Sequence, residues 1–434
     1  MVKSLIKKSW QVSWPMILIM FAEFIISITD VYIAGKLGKE YQASVGFVSQ
    51  IYFVLIVVIN AVTMGTVALI SRKWSEKNEK NLKISISTVY YFALLIGFIT
   101  TIFGVLFAKK ITLLMPIHKE IRNIAAELAY IYTFGVLFHY ILILTNGVLR
   151  SINKVKLSLL TMIIICLSNV GLNFYFVFHT NLYFKGIALS TVFSVIIGAI
   201  LNTIYLSKYI IFIVPKIEII TKVLKVGVPS GILQIGWQLG STVLFFIINK
   251  LKTNPVEVMA AFTNGIRIES AIFLPAFAFN MANAVIVGNL LGEKKKNEAY
   301  KNGIVTAIMG AIIVTFMTII IILNANKIAN ILSNNQVVIK ETVKYLIISM
   351  ISEPFMAFGV ILGGGISGAG DTKSVMKIVL SSLWLIRIPL AFIGVVFLKF
   401  DATFIWWCMN LSIFIQCFLI FRHYKSKRWQ KDEL

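Results

Sequence analysis

Charge is scarce in this chain. Of its 434 residues only 14% are Asp, Glu, Lys or Arg, against about 25% in an ordinary soluble domain, and that deficit excludes a soluble globular fold. Cysteine is limited to three residues, Cys166, Cys408 and Cys417. All three fall inside apolar stretches, which fits packing residues and not disulfides or metal ligands. Four scattered histidines form no HExxH pair, so metal-dependent hydrolysis lacks its ligands. An intramembrane prenyltransferase would need Asp-rich DDxxD metal motifs, and none occurs. No G-x-x-x-x-G-K-[ST] phosphate loop is present either, so the P-loop way of holding ATP lacks its motif. Ten-residue alternating segments, the mark of a membrane β-barrel, are also missing. The basic start MVKSLIKKSW is followed by no small-residue cleavage site, so it reads as the entry to a retained first helix.

What is present is hydrophobic. Apolar residues make up 58% of the chain and the mean hydropathy is +0.87. They are organised into twelve stretches near 10–34, 46–71, 84–107, 125–148, 157–178, 186–206, 227–249, 258–288, 302–323, 342–365, 375–397 and 402–421. Stretches of about 20 residues cross a hydrocarbon core of about 30 Å as helices, so the expectation is an all-α polytopic membrane protein. The net charge of +23 would suit nucleic acid, but its distribution does not. Lys and Arg are about twofold more frequent in alternate loops, the positive-inside pattern. It places both termini in the cytoplasm and turns the basic loops toward anionic lipid. The closing KDEL, Lys431 to Leu434, has the form of an ER-retention signal, but on this orientation no lumenal receptor could reach it. Trp10, Trp14, Trp406 and Trp407 lie near span ends and read as interface anchors.

The chain repeats itself. YQASVGFVSQIYFVLIVVINAVTMGTVALISRKWSEKNEK from Tyr41 matches MAAFTNGIRIESAIFLPAFAFNMANAVIVGNLLGEKKKNE from Met259, 218 positions on. GVLRSINKVKLS from Gly147 matches GGISGAGDTKSV from Gly364, 217 positions on. Six spans separate the copies, so both have one membrane orientation, a parallel repeat of the kind transporters use. The expected organisation is an N-terminal six-helix lobe over 1–207, a linker over 208–226, a C-terminal six-helix lobe over 227–421 and a basic tail over 422–434.

GGGISGAGDTKSVMKIV (Gly363 to Val379) with WLIRIPLAFIGV (Trp384 to Val395) resembles the loop between spans 10 and 11 of multidrug and toxic compound extrusion transporters, the MATE family. GIRIESAIFLPAFAFNMANAVIVGNLLGEKKKNEA resembles that family's span 8, and WPMILIMFAEFIISITDVYIAGKLG its first span. LSNVGLNFYFVF and GIALSTVF resemble spans 5 and 6. The resemblance implies twelve transmembrane helices in two pseudo-symmetric six-helix bundles around a central cavity. It implies a monomeric secondary antiporter in the cytoplasmic membrane. Such a transporter exports organic compounds, cationic and amphipathic, in exchange for inward Na⁺ or H⁺, with no other cofactor. A lipid-linked oligosaccharide flippase of the same superfamily is the alternative; its pyrophosphate would favour a more cationic cavity.

Asp30 falls on the family's first-span acid, and the resemblance adds Asn169, Asn173 and Thr191 as its neighbours in cation coupling. Asn169 and Asn173 are four apart, on one helix face, and amide oxygens suit a hard cation such as Na⁺ on Asp30. One branch of the family carries a second acid where this chain has Asn173. Another has acids in spans 7 and 10, where this chain has Trp237, Gln238 and Met356, with Glu353 one turn earlier, beside Pro354. Glu23 either lines the cavity or pairs with Lys7 or Lys8. Glu353, Glu269 and Arg267 remain as cavity charges or coupling groups. Arg267 and Glu269, two apart, point to different sides of a helix and should not pair. Arg387 precedes Pro389, and His139 reads as a satisfied core residue.

Overall fold

The structure, a computed structural model, describes residues 2–115 and 118–431; the last three residues of the KDEL sequence lie outside them. Six long helices fill the first half: α1 (Val2–Leu37), α2 (Lys39–Ser75), α3 (Glu79–Leu114), α4 (Lys119–Ser151), α5 (Val155–Phe178) and α6 (Lys185–Leu206). The second half holds α7 (Ile217–Ile248), α8 (Pro255–Gly292), α9 (Lys296–Leu323), a short α10 (Ala325–Leu332), α11 (Gln336–Ser349), α12 (Glu353–Gly368), α13 (Thr372–Ser381), α14 (Ile388–Phe392) and α15 (Ala402–Lys425). Two π-helical turns, Ser382–Arg387 and Ile393–Phe397, flank α14, so that one span runs from Thr372 to Phe397. Among the described residues, 11 helices are long and apolar enough to cross a membrane, and α11 with α12 supplies a twelfth span.

That twelfth span is not the straight helix its even hydropathy suggests. α11 and α12 meet at 52°. Pro354 stands in the first turn of α12, where its missing N–H is tolerated and its ring blocks continuation from the preceding turn. The carbonyls released at the bend find partners. Asn410 of α15 donates Nδ2 to Ile348 O at 2.7 Å and accepts Ser352 Oγ at 2.7 Å.

The chain divides into two compact units, residues 18–231, and residues 1–17 with 232–434. α1 and α7 therefore each contribute to both. In the first unit α4 packs against α2, α3 and α6, and α5 against α6. In the second, α8 packs against α9, α11 and α12, and α15 against α11 and α12. Its core includes Phe262, Phe279, Tyr345 and Trp406, all buried. Trp406 is thus no interface anchor, unlike Trp407 beside it, which is exposed. It lies on the α15 face shared with Ala402, Ile405, Met409 and Ile413, all buried, and stacks on Phe262 at 5.5 Å with its edge to Tyr345 at 4.7 Å. Proximity to a span end set no orientation; helical phase did.

The repeat is visible in the backbone. Left-handed residues close corresponding turns: Gly38 and Asn254, Lys77 and Lys294, Asn153 and Gly370, Tyr183 and Lys399. The members of each pair are 216 or 217 positions apart. The close crossing of α2 with α4 at Gly147 and Thr63 recurs between α8 and α12 at Gly364 and Asn280, again 217 apart. At Gly364 the close neighbour is the α8 backbone itself, so only a hydrogen fits there, whereas Gly147 faces the side chain of Thr63.

Candidate functional site

Each unit holds a polar cluster that includes an acid among apolar helices. In the first unit, α1 brings a half-buried Asp30 to α5 and α6. Asn173 donates Nδ2 to Asp30 Oδ1 at 2.6 Å, and Thr191 donates its hydroxyl to Oδ2 at 3.4 Å. Asn169 donates to Thr191 Oγ1 at 3.1 Å and accepts from Asn173 at 3.5 Å. The four residues thus form one hydrogen-bonded set. Asn169 and Asn173 are buried, and the Asn173 amide oxygen has no partner. A carboxylate, two amide oxygens and a hydroxyl are hard donors suited to a small monovalent cation or a proton.

Three residues beside this set carry no motif. Tyr132 adjoins Asp30 and bonds to Thr191. Its ring lies 5.4 Å from that of Tyr52, whose hydroxyl is 2.9 Å from His139 Nδ1. His139 is therefore a satisfied residue, as its isolation suggested. Aromatic residues at core spacing give no sequence signal of a polar neighbour. Glu23, two turns before Asp30 on α1, is exposed. Its cationic neighbour is Arg150 on the last turn of α4, and not Lys7 or Lys8. Arg150 also donates Nε to Asn146 O at 3.1 Å.

In the second unit, α7, α8, α11, α12, α15 and the π-turn before α14 line a cavity of about 80 Å³. Glu269, Glu353 and Arg387 line it, each at least 94% buried. Tyr345 donates its hydroxyl to Glu269 Oε1 at 2.6 Å. Arg387 donates Nε to Ser412 Oγ at 2.7 Å, and its guanidinium lies 5.3 Å from the centre of the Trp237 ring. Both acids lie within electrostatic reach of Arg387, yet Glu353 Oε2 is buried without a hydrogen-bond partner. Two acids and one arginine leave one negative charge, which a bound monocation or proton would cancel. The volume suits water or a small ion, since organic ligands occupy about 300–1,000 Å³. Met356 and Trp237, where one branch of the family has acids, line the same cavity. Arg267, two residues before Glu269, is exposed and does not share the cluster.

The two clusters are not copies. Subtracting 217 from Glu269, Glu353 and Arg387 leads to Tyr52, Val136 and Val170, and adding 217 to Asp30 leads to Ile247. The halves share a backbone and differ in where they keep charge.

Comparison with known proteins settles the class. The MatE family model matches residues 15–175 and 229–393, and the chain belongs to that family: it is a membrane transporter and not an enzyme. The probable multidrug resistance protein NorM of Thermotoga maritima is 24% identical to it, over 94% of this chain and 90% of that one. The uncharacterized transporter YisQ of Bacillus subtilis is 21% identical, over 97% and 94%. Among solved structures, an outward-facing multidrug resistance MATE transporter of the MOP superfamily superposes with a TM-score of 0.91 at 18% identity, covering 98% of this chain and 97% of the other. A MOP superfamily transporter from Pyrococcus furiosus, described for the reversed polarity of its binding pocket, gives 0.90 at 18%, covering 97% and 95%.

Proposed function

We propose that this protein is a secondary antiporter that exports organic, cationic and amphipathic compounds across a bacterial cytoplasmic membrane, in exchange for H⁺ or Na⁺ moving inward. Asp30 carries the coupling. The observation behind this reading is the Asp30 set itself. A carboxylate held by Asn173 and Thr191 in an apolar bundle, beside an unpartnered amide oxygen, is stable only if its charge is offset. A cation or proton on Asp30 cancels that charge and favours whichever arrangement tolerates the neutral form. Reversal on release is what an exchanger needs. Glu269 and Glu353 form a second cation or proton site under this reading, with Arg387 as a fixed counter-charge, while Glu23 and Arg267 are charges available to the transported compound. The names of the relatives in Thermotoga and other bacteria support multidrug export over a lipid-linked oligosaccharide flippase. The protein acts as a monomer with both termini in the cytoplasm.

Ethidium efflux from energised, pump-deficient cells tests this, comparing wild type with Asp30→Asn at matched expression, with and without Na⁺. Loss of efflux in the variant alone supports coupling through Asp30, and the Na⁺ arm selects the ion. Equal efflux removes Asp30 from the mechanism.

A further inference from the structure

The segment joining α6 to α7 carries a feature that transport does not use. After a 3₁₀ turn at Ser207–Tyr209, residues 210–216 carry no regular secondary structure up to the start of α7. Phe212 is 99% exposed and Val214 86%, with Ile217 at 79%, while Ile213 between them is half-buried. Large apolar side chains this open are unusual on a surface that meets only water.

The exposure is held in place. Ile211 N donates to Ser87 Oγ of α3 at 2.8 Å, Ser87 Oγ donates to Tyr209 O at 3.4 Å, and Lys216 N donates to Thr88 Oγ1 at 3.4 Å. These bonds tie the backbone to α3 and turn Phe212 and Val214 outward. The Phe212 ring meets Tyr91 edge-on at 6.5 Å. From Tyr91 one face of α3 continues through the exposed Leu95, Phe98 and Ile102, and a face of α6 through the exposed Phe193, Ile197, Ile200 and Ile204. The spacings of three and four make both faces continuous stripes. On spanning helices, such stripes face lipid. Phe212 and Val214 therefore extend the lipid-facing wall past the end of the helices.

The charge around them is one-sided. Residues 72–83, 150–156 and 207–225 form this end of the unit and contain twelve Lys and Arg against three acids. No acid occurs between Ser207 and Ile217, where Lys208 and Lys216 bracket the apolar residues. Lys154 and Lys208 both lie 5.2 Å from the Tyr209 ring centre.

We propose that residues 210–217 are an interfacial anchor for anionic phospholipid. Phe212, Val214 and Ile217 enter the acyl region of one leaflet, and Lys208, Lys216 and the neighbouring basic loops hold the headgroups. Apolar insertion combined with basic residues is the physical requirement for such binding.

Nitroxide labels at Phe212→Cys, Val214→Cys and Glu218→Cys test the proposal in the full-length protein, in vesicles of phosphatidylglycerol with phosphatidylcholine. The three native cysteines are buried and stay in place, with wild type as the labelling control. Collision with oxygen should exceed collision with a water-soluble nickel chelate several-fold at Phe212→Cys and Val214→Cys, and the order should reverse at Glu218→Cys. Nickel access at the first two as high as at Glu218→Cys overturns insertion. In vesicles of phosphatidylcholine alone the oxygen-to-nickel ratio at Val214→Cys should fall at least twofold; an unchanged ratio overturns the anionic-headgroup part.

Discussion

The two repeat-related helix crossings should respond differently to one added methyl group. At Gly364 a Cβ would sit 2.8 Å from Asn280 Nδ2 and 2.9 Å from the Asn280 carbonyl carbon, with the carbonyl oxygen nearer still. That carbonyl belongs to the backbone of α8, and Nδ2 is engaged by Val360 O at 2.7 Å. Neither can step aside. At Gly147 the Cβ would meet Thr63 Cγ2 at 2.5 Å. Thr63 Oγ1 has no hydrogen-bond partner, so a change of its rotamer breaks nothing. Replacing a helical Gly by Ala gains roughly 0.5–1 kcal/mol, and overpacking costs about 1–3 kcal/mol. The balance for Gly147→Ala is within about 1 kcal/mol of zero, whereas Gly364→Ala should lose about 2 kcal/mol. Thermal unfolding of the purified protein, followed by the fraction surviving as a monodisperse peak, should place Gly364→Ala clearly below wild type and Gly147→Ala near it. The reasoning fails if Gly147→Ala is the less stable of the two.

Three further outcomes are expected. Trp429 is fully buried, stacks on Tyr424 at 4.6 Å and donates its indole N–H to Tyr424 O at 2.8 Å; Trp429→Ala should cost about 3–5 kcal/mol and open the tail to limited proteolysis. Burial works to raise the Asp371 carboxyl, but hydrogen bonds from His423 and Ser374 outweigh it and leave the group below its usual value. A depressed carboxyl stabilises above its unfolded value and loses that contribution as pH falls, so Asp371→Asn should melt earlier than wild type at pH 7, with the gap closing below about pH 4. Glu353→Gln relieves a buried carboxylate that has one oxygen unpartnered. It should raise thermal stability by about 1 kcal/mol, and a fall of that size would show the charge to be well compensated.

Span number, the repeat and the Asp30 neighbourhood were legible in the sequence because each rests on a periodic or motif signal. Asn169 and Asn173 sit at helical spacing, and Thr191 lies in a stretch with a family counterpart. The bend between α11 and α12 was signalled in the sequence only by Pro354, inside a stretch read as a single span. Hydropathy continues evenly through Met350 and Ile351, and only the carbonyl-capping Asn410, some 60 residues on, shows that the turn is stabilised. The Glu269–Tyr345–Arg387 arrangement is likewise tertiary: its members come from three helices, and Tyr345 looks like any aromatic in an apolar run. Arg150 lies beyond the apolar stretch 125–148, but α4 continues through Ser151 and keeps it within electrostatic reach of Glu23.

The bent span has a counterpart in the first half. α4 begins and ends 217 positions before α11 begins and α12 ends, so the same span is one continuous helix in the first copy and a bent pair in the second. Val136 and Leu137 stand where the later copy has Glu353 and Pro354. At these two adjacent positions the copies part company: one keeps an uninterrupted helix, the other carries an acid, a proline and a bend. In the second copy the buried acid and the bend thus stand at one place, Glu353 beside Pro354. A chain built from two first halves would keep the architecture and lose that linkage.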